Sequence, residues 1–174
     1  QVESAGMGPV YAEVDIDAPR EMIFDYLMDM ATRPGLYGHS ISHFRLLRLE
    51  SRGIGAGARF QFRRRKAWAD SSITSTDSPS RISERGATGN LNRTKTGTEW
   101  ELAESSAGVS TLRLSYWTQP TGWAKLFDRL NGGSRWYGRM VKRAAEELRT
   151  RIEAERTATT EVGVAGGNRY VTGV

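Results

Sequence analysis

The amino-acid sequence predicts a single α+β domain in which a curved antiparallel sheet of about six to seven strands packs on a long C-terminal helix. Three observations predict it. Residues from Pro9 alternate in polarity with period two. About six further alternating segments follow, joined by hairpin-scale turns. Beyond residue 122 the apolar period becomes that of a helix. Strands consecutive in sequence and joined by short turns form an antiparallel meander. The final helix is the element long enough to cover its concave face.

Val10, Ala12, Val14 and Ile16 face one way and Tyr11, Glu13, Asp15 and Asp17 the other, which is a strand with one buried face. Asp17 stands where an N-cap belongs, and Pro19 and Glu21 suit a first helical turn. Ile23, Phe24, Leu27 and Met28 recur at helical spacing, and the helix is expected to stop near Ala31, before Pro34, Gly35 and Gly38. Strands are expected from about Ile41, with Phe44 and Leu46 on one face, then over 59–63 with Phe60 and Phe62 inward. More follow over 69–76, 81–88, 96–104 and 109–118, divided by Asp77-Ser78-Pro79-Ser80, Gly89-Asn90 and Ser105-Ser106-Ala107-Gly108. Asn92-Arg93-Thr94 fits a glycosylation sequon but reads as a turn.

Thr98, Trp100 and Leu102 share a strand face, as do Leu112, Leu114 and Tyr116, which leaves Arg113 on the solvated side. Trp123, Leu126, Phe127 and Leu130 then form a helical stripe. After Asn131-Gly132-Gly133, expected to kink or break it, Tyr137, Met140, Val141, Ala144, Leu148 and Ile152 form another, with Ser134 as its N-cap. These signals divide the chain into an N-terminal extension (1–8), the domain (9–156) and a tail (157–174) without periodicity.

Composition limits the chemistry. A chain of 174 residues can bury roughly 68–70% of its unfolded surface, enough for a core and a pocket. There is no cysteine, which excludes disulfides, thiolate catalysis and thiolate metal sites. The net charge is +5, but 20 acidic residues are scattered among the 25 basic ones, with no recognition-helix signature, so a nucleic-acid partner is not expected. The densest run, Arg63-Arg64-Arg65-Lys66, reads as a solvated strand shoulder. No stretch approaches the ~20 continuous apolar residues of a membrane span. Residues 1–8 lack the basic and apolar regions of a signal peptide, so a cytoplasmic protein is expected.

The segment Val10-Tyr11-Ala12-Glu13-Val14-Asp15-Ile16-Asp17-Ala18-Pro19, followed by Ile23-Phe24-Asp25-Tyr26-Leu27, resembles the opening of START-like (SRPBCC) domains. That superfamily includes polyketide cyclase/dehydrase-like proteins, Bet v 1-like allergens and coenzyme Q-binding proteins. Gly53-Ile54-Gly55-Ala56-Gly57-Ala58-Arg59-Phe60 is similar to the glycine-rich connection before their third strand, and the long helix from Gly122 to about Glu155 matches in place and length. The resemblance spans Pro9 to Glu155 and implies a helix-grip fold enclosing a cavity for a hydrophobic or amphipathic small molecule. Its members include carriers, cyclases, dehydratases, hydrolases and co-chaperones, among which the fold does not choose.

His39 and His43 are the two histidines. Their spacing of four would suit a metal on a helix, but Ile41 and Phe44 look like strand and no third ligand stands near, so no metal is expected. The glycine-rich stretch precedes a strand rather than a helix, which argues against a nucleotide loop, and no Gly-x-Ser-x-Gly elbow occurs. No cofactor is expected. Phe60, Phe62, Trp100, Tyr116, Trp136, Tyr137 and Met140 are candidates for the cavity wall, with its entrance near Tyr37, His39 and the Gly53–Gly57 loop. The leading expectation is binding or transport of a hydrophobic small molecule such as a lipid or polyketide. The alternatives are a cyclase or dehydratase using cavity Tyr or His groups, and an interaction module with no open cavity.

Overall fold

Alternation becomes strand, and the helical stripe becomes helix, over residues 7–89, 94–119 and 133–160, the parts of the chain that the computed structural model describes. Strand β1 (Met7–Ile16) leads into α1 (Arg20–Leu27), a single 3-10 turn (Met30–Thr32) and α2 (Arg33–Tyr37). Six strands follow: β2 (Ile41–Leu46), β3 (Gly57–Phe62), β4 (Trp68–Asp77), β5 (Arg81–Thr88), β6 (Thr94–Ser106) and β7 (Val109–Gln119). The last element is α3 (Gly133–Thr160). All seven strands form one antiparallel sheet in the order β1-β7-β6-β5-β4-β3-β2. The meander runs from β2 to β7, and β1 closes beside β7 with Val10 opposite Tyr116 and Val14 opposite Leu112.

The inward faces carry Ile16, Ile82, Trp100, Leu102, Leu112, Leu114 and Tyr116, all buried. Tyr137, Met140, Val141, Ala144, Leu148 and Ile152 of α3 are buried against them, so the helical stripe read from the sequence is the seam of the grip. At Gly86 and Gly97 a side chain would collide. A Cβ on Gly86 would lie 1.8 Å from the Asp70 carbonyl oxygen, and one on Gly97 would lie 2.3 Å from the Trp117 indole.

Several local expectations are corrected. The N-cap of α1 is Pro19, extended at φ −66° and ψ 144°, rather than Asp17. Asp17 instead joins the two ends of the domain: its backbone N–H donates to Glu153 Oε1 at 3.1 Å, and Arg156 donates to its carboxylate. Helix α1 stops at Leu27 because Asp29 turns extended, and its carboxylate caps the 3-10 turn by accepting from the Ala31 N–H at 2.9 Å. Ser134 lies inside the first turn of α3, which already begins at Gly133. Leu46 falls on an edge strand and is exposed, as are Leu47 and Leu49 beyond it. Arg113 is exposed as expected and stacks 4.6 Å over the Tyr11 ring. Helix α3 continues past Arg156 to Thr160. The stripe Trp123–Leu130, the Asn92 sequon and the tail beyond residue 160 lie outside the described residues.

Leu148 is fully buried in the seam, so Leu148→Ala is expected to cost about 2–5 kcal/mol of stability, read from urea denaturation. A loss under about half a kcal/mol would contradict a gripped helix.

Candidate ligand-binding site

The strands are antiparallel, so one end of the sheet gathers the start of β2, the end of β3, the start of β4, the start of β6 and the end of β7. A partly open cavity lies there, between the concave face, α2 and the first half of α3. It is lined by Met30, Arg33, Tyr37, Ile41, Phe60, Phe62, Ala69, Asp70, Ser71, Glu84, Thr96, Thr98, Tyr116 and Met140. The centres of water-sized molecules have about 40 Å³ to occupy, and the space between the surrounding atoms, including the part open to solvent, is about 510 Å³. At ~10–15 Å³ of such space for each water, the enclosed part holds roughly three waters or a small chemical group.

The lining has two characters. One wall, from β2, β3 and α3, is apolar and aromatic. Phe62 meets Phe60 edge-on at 5.4 Å, Trp136 at 5.5 Å and Tyr137 at 6.0 Å, and Tyr137 lies 4.9 Å from Tyr116. The other wall, from α2 and the central strands, is polar. There Ser71, Glu84 and Thr98 stand side by side, because Glu84 pairs with Thr98 across β5–β6 and Ser71 is opposite Gly86 on β4–β5.

The polar wall is organised by a buried ion pair. Arg33 donates to Glu84 Oε1 from Nε at 3.1 Å and from Nη2 at 2.8 Å, and both side chains are about 95% buried. Trp100 Nε1 donates to the same oxygen at 2.8 Å, and Ser71 Oγ donates to Glu84 Oε2 at 3.0 Å. The remaining Arg33 donors reach the Leu27 carbonyl oxygen at 2.6 Å, Thr32 Oγ1 at 3.0 Å and the Asp29 carbonyl oxygen at 3.5 Å. The guanidinium also lies 5.1 Å over the Trp100 ring. Two charges leave water here only because nearly every donor and acceptor finds a partner.

Tyr37 stands edge-on to Trp100 at 6.2 Å. Burial, and then the Glu84 charge, push its hydroxyl well above the usual tyrosine range, with Arg33 opposing, so it remains a protonated donor at every physiological pH. His39 is exposed just beyond α2. Its pKa is lowered, first by partial desolvation and then by Arg143, against the opposing influence of Glu147 and a hydrogen bond to the Met140 carbonyl oxygen.

Among the residues singled out from the sequence, Tyr37, Phe60, Phe62, Tyr116 and Met140 line the cavity. Trp136 and Tyr137 stand behind Phe62 and Tyr116 as a second layer, and Trp100 is wholly buried beneath Glu84. His39 lies on the rim of α2 outside the lining. The Gly53–Gly57 loop lies at the opposite end of β3 from Phe62, tied to Met28 and Ile73 by the Gly53 and Gly55 N–H groups. His43 is an exposed residue at φ +54° in the irregular part of β2. Among the described residues, no group of three acidic or imidazole side chains could hold a metal. No helix there is long and apolar enough to cross a membrane.

Sequence reasoning missed Arg33, Ser71, Glu84 and Thr96. Glu84 had a signal: alternation from Ile82 puts a carboxylate on an inward face, and a buried acid demands a partner. Arg33 had none, since its partner lies 51 positions away.

Removing one member of the pair strands the other charge. Arg33→Met and Glu84→Leu are each expected to lose about 3–5 kcal/mol in urea denaturation. The double variant is expected to lose at least ~1 kcal/mol less than the sum; strict additivity would contradict the coupling. For His39 the folded pKa is depressed, so the stability tied to its neutral form is fully present above about pH 6.5 and is lost as pH falls. His39→Gln is expected to flatten the decline in melting temperature between about pH 7 and about pH 5. An unchanged slope would remove His39 as its source.

No family model and no curated protein matches the chain. Solved structures do. The KanY protein, determined by NMR, is similar at 17% identity over 84% of this chain and 97% of its own, with a TM-score of 0.67. Norcoclaurine synthase from Thalictrum flavum, solved with a transition-state analogue, is similar at 10% identity over 90% of this chain and 99% of its own, with a TM-score of 0.69. A START superfamily protein from Mycobacterium smegmatis is similar at 14% identity over 84% and 98%, with a TM-score of 0.58. Identities this low speak to architecture alone, and the architecture agrees with the element order and sheet topology found here: the chain has the START-like, SRPBCC-type helix-grip fold.

Proposed function

We propose that this protein binds a predominantly apolar small molecule between the concave face of the sheet and the first half of α3. The observation that carries this reading is the two-sided lining. An aromatic and aliphatic wall of Ile41, Phe60, Phe62 and Met140 faces hydroxyls from Ser71, Thr96, Thr98 and Tyr37. Ligand pockets are built this way, mostly apolar with a few convergent polar groups that fix orientation. A core designed only for packing gains nothing from hydroxyls placed beside empty space. The enclosed space is small, so a larger ligand would extend into the open part of the cavity or displace Met140, whose unbranched side chain adapts readily.

A cyclase or dehydratase reading gains support from the fold shared with norcoclaurine synthase. It meets a chemical difficulty here. Acid–base work needs a group that exchanges a proton near neutral pH. The Tyr37 hydroxyl is held protonated, the Glu84 carboxylate already accepts four hydrogen bonds, Asp70 is paired with Arg59 at 3.7 Å, and His39 stands outside the lining. Binding without acid–base chemistry is therefore the better-supported reading, and the aromatic layer of Trp136 and Tyr137 would stiffen the wall against which a ligand stacks.

The folded protein is expected to bind an apolar fluorophore with micromolar affinity and to transfer excitation to it from tryptophan. Met140→Trp, which fills the cavity from the helix side, is expected to weaken binding at least tenfold while leaving the circular dichroism spectrum unchanged. A folded protein that binds no apolar fluorophore would sink the reading.

A further inference from the structure

We infer that the buried end of the ligand is an uncharged hydrogen-bonding group, a hydroxyl or carbonyl, and that the cavity rejects a carboxylate or an ammonium at that position. This rests on the binding reading above and specifies its ligand. Among the described residues, the charged members of the lining are Arg33, Glu84 and Asp70, and each already has an opposite charge beside it. Arg33 commits Nε and Nη2 to Glu84, a second Nη2 bond to the Leu27 carbonyl, and Nη1 to Thr32 and the Asp29 carbonyl. A guanidinium has five N–H donors, and these contacts account for all of them. A ligand carboxylate would therefore have to displace Glu84 from Arg33, leaving one of two anions buried without its cation.

The same accounting applies to an ammonium. Glu84 Oε1 accepts from Arg33 twice and from Trp100, Oε2 accepts from Ser71, and the charge is matched by Arg33 at 2.8 Å. Asp70 faces Arg59 at 3.7 Å across the β3–β4 pair. Each acid thus already has a cation beside it, and a ligand ammonium would bring a second buried positive charge to the same carboxylate.

The neutral groups are differently placed. Thr96 and Thr98 are buried on β6, and each carries a hydroxyl into the lining. Ser71 donates to Glu84 yet keeps its acceptor lone pairs, and the Tyr37 hydroxyl is a donor. Hydroxyls that both donate and accept suit an alcohol, ketone or amide, and a neutral group loses little on leaving water for such partners. The exposed arginines of the β3–β4 loop, including Arg65 at 5.9 Å over the Tyr137 ring, could still draw an anion to the surface, but that attraction is screened by salt.

A rigid series on one skeleton tests the assignment: naphthalene, 2-naphthol, 2-naphthoate and 2-naphthylmethylammonium, each competing with the apolar fluorophore at neutral pH, in ~0.15 M and ~1 M salt. Naphthol is expected to bind at least tenfold more tightly than either ion at both salt concentrations. Thr98→Val, close in shape but lacking the hydroxyl, is expected to cut the preference for naphthol over naphthalene about threefold to tenfold. Thr96→Val is the second variant should Thr98→Val fold poorly. Naphthoate or the ammonium matching naphthol at high salt would overturn the assignment, as would an unchanged naphthol preference in both threonine variants. If the fluorophore binds and a charged member wins, this inference alone falls. If neither the fluorophore nor any member of the series binds, the binding reading falls with it.

Discussion

The carboxylate of Glu84 receives donors from α2, β4 and β6 at once, and the cavity end of the domain is built around it. Arg33 reaches it from α2, Ser71 from β4 and Trp100 from the neighbouring strand β6. A buried charge tolerates little misplacement, because a lost partner leaves an unsolvated ion. The pair therefore fixes how far α2 stands from the centre of the sheet. It also fixes Trp100, the largest fully buried side chain among the described residues, in one orientation beneath the guanidinium. The short helices are in turn held by Arg33 contacts to the Leu27 carbonyl, at the end of α1, and to the Asp29 carbonyl, which also accepts from the Thr32 N–H within the 3-10 turn.

The other end of the domain is held differently. Asp17, Glu153 and Arg156 connect the end of β1 to the last turns of α3, but the charged pair Asp17–Arg156 is exposed, and exposed pairs contribute little. There the hold on α3 comes from Ile16, Leu148 and Ile152, each wholly buried. One end of the grip is thus a dry apolar seam. The other is a polar wall facing an aromatic one, with room between them. Space survives at that second end because the ion pair holds α2 out from the sheet, while the stacked rings of Phe62, Trp136, Tyr137 and Tyr116 hold the helix side.

Much of the sheet was legible in the sequence because the strand period is local. Residues 81–88 alternate between turn-forming clusters and are strand over that same span. The shared face of Thr98, Trp100 and Leu102 is the buried face of β6, and the stripe from Tyr137 to Ile152 is the seam of α3. Local signals failed where a polar side chain had two possible uses. Asp17 has the composition of an N-cap, yet Pro19 fixes an extended residue in that role and Asp17 is drawn to the C-terminal end of α3. Leu46, Leu47 and Leu49 have core composition, but β2 is an edge strand, and no described element covers that end of it.

The sequence by itself determined the element order, the inward face of most strands, the amphipathic final helix and the exclusion of thiol chemistry, because each follows from spacing within one segment or from composition. Only the tertiary structure decided the character of the site. Arg33 and Glu84 are separated by 51 positions, and neither reads as special in its own segment. What makes them matter is shared burial, a property of the space between α2 and the sheet. The same holds for the hydroxyls of Ser71, Thr96 and Thr98, which are ordinary strand residues until the antiparallel register sets them beside one another at the end of the sheet that α3 leaves incompletely filled.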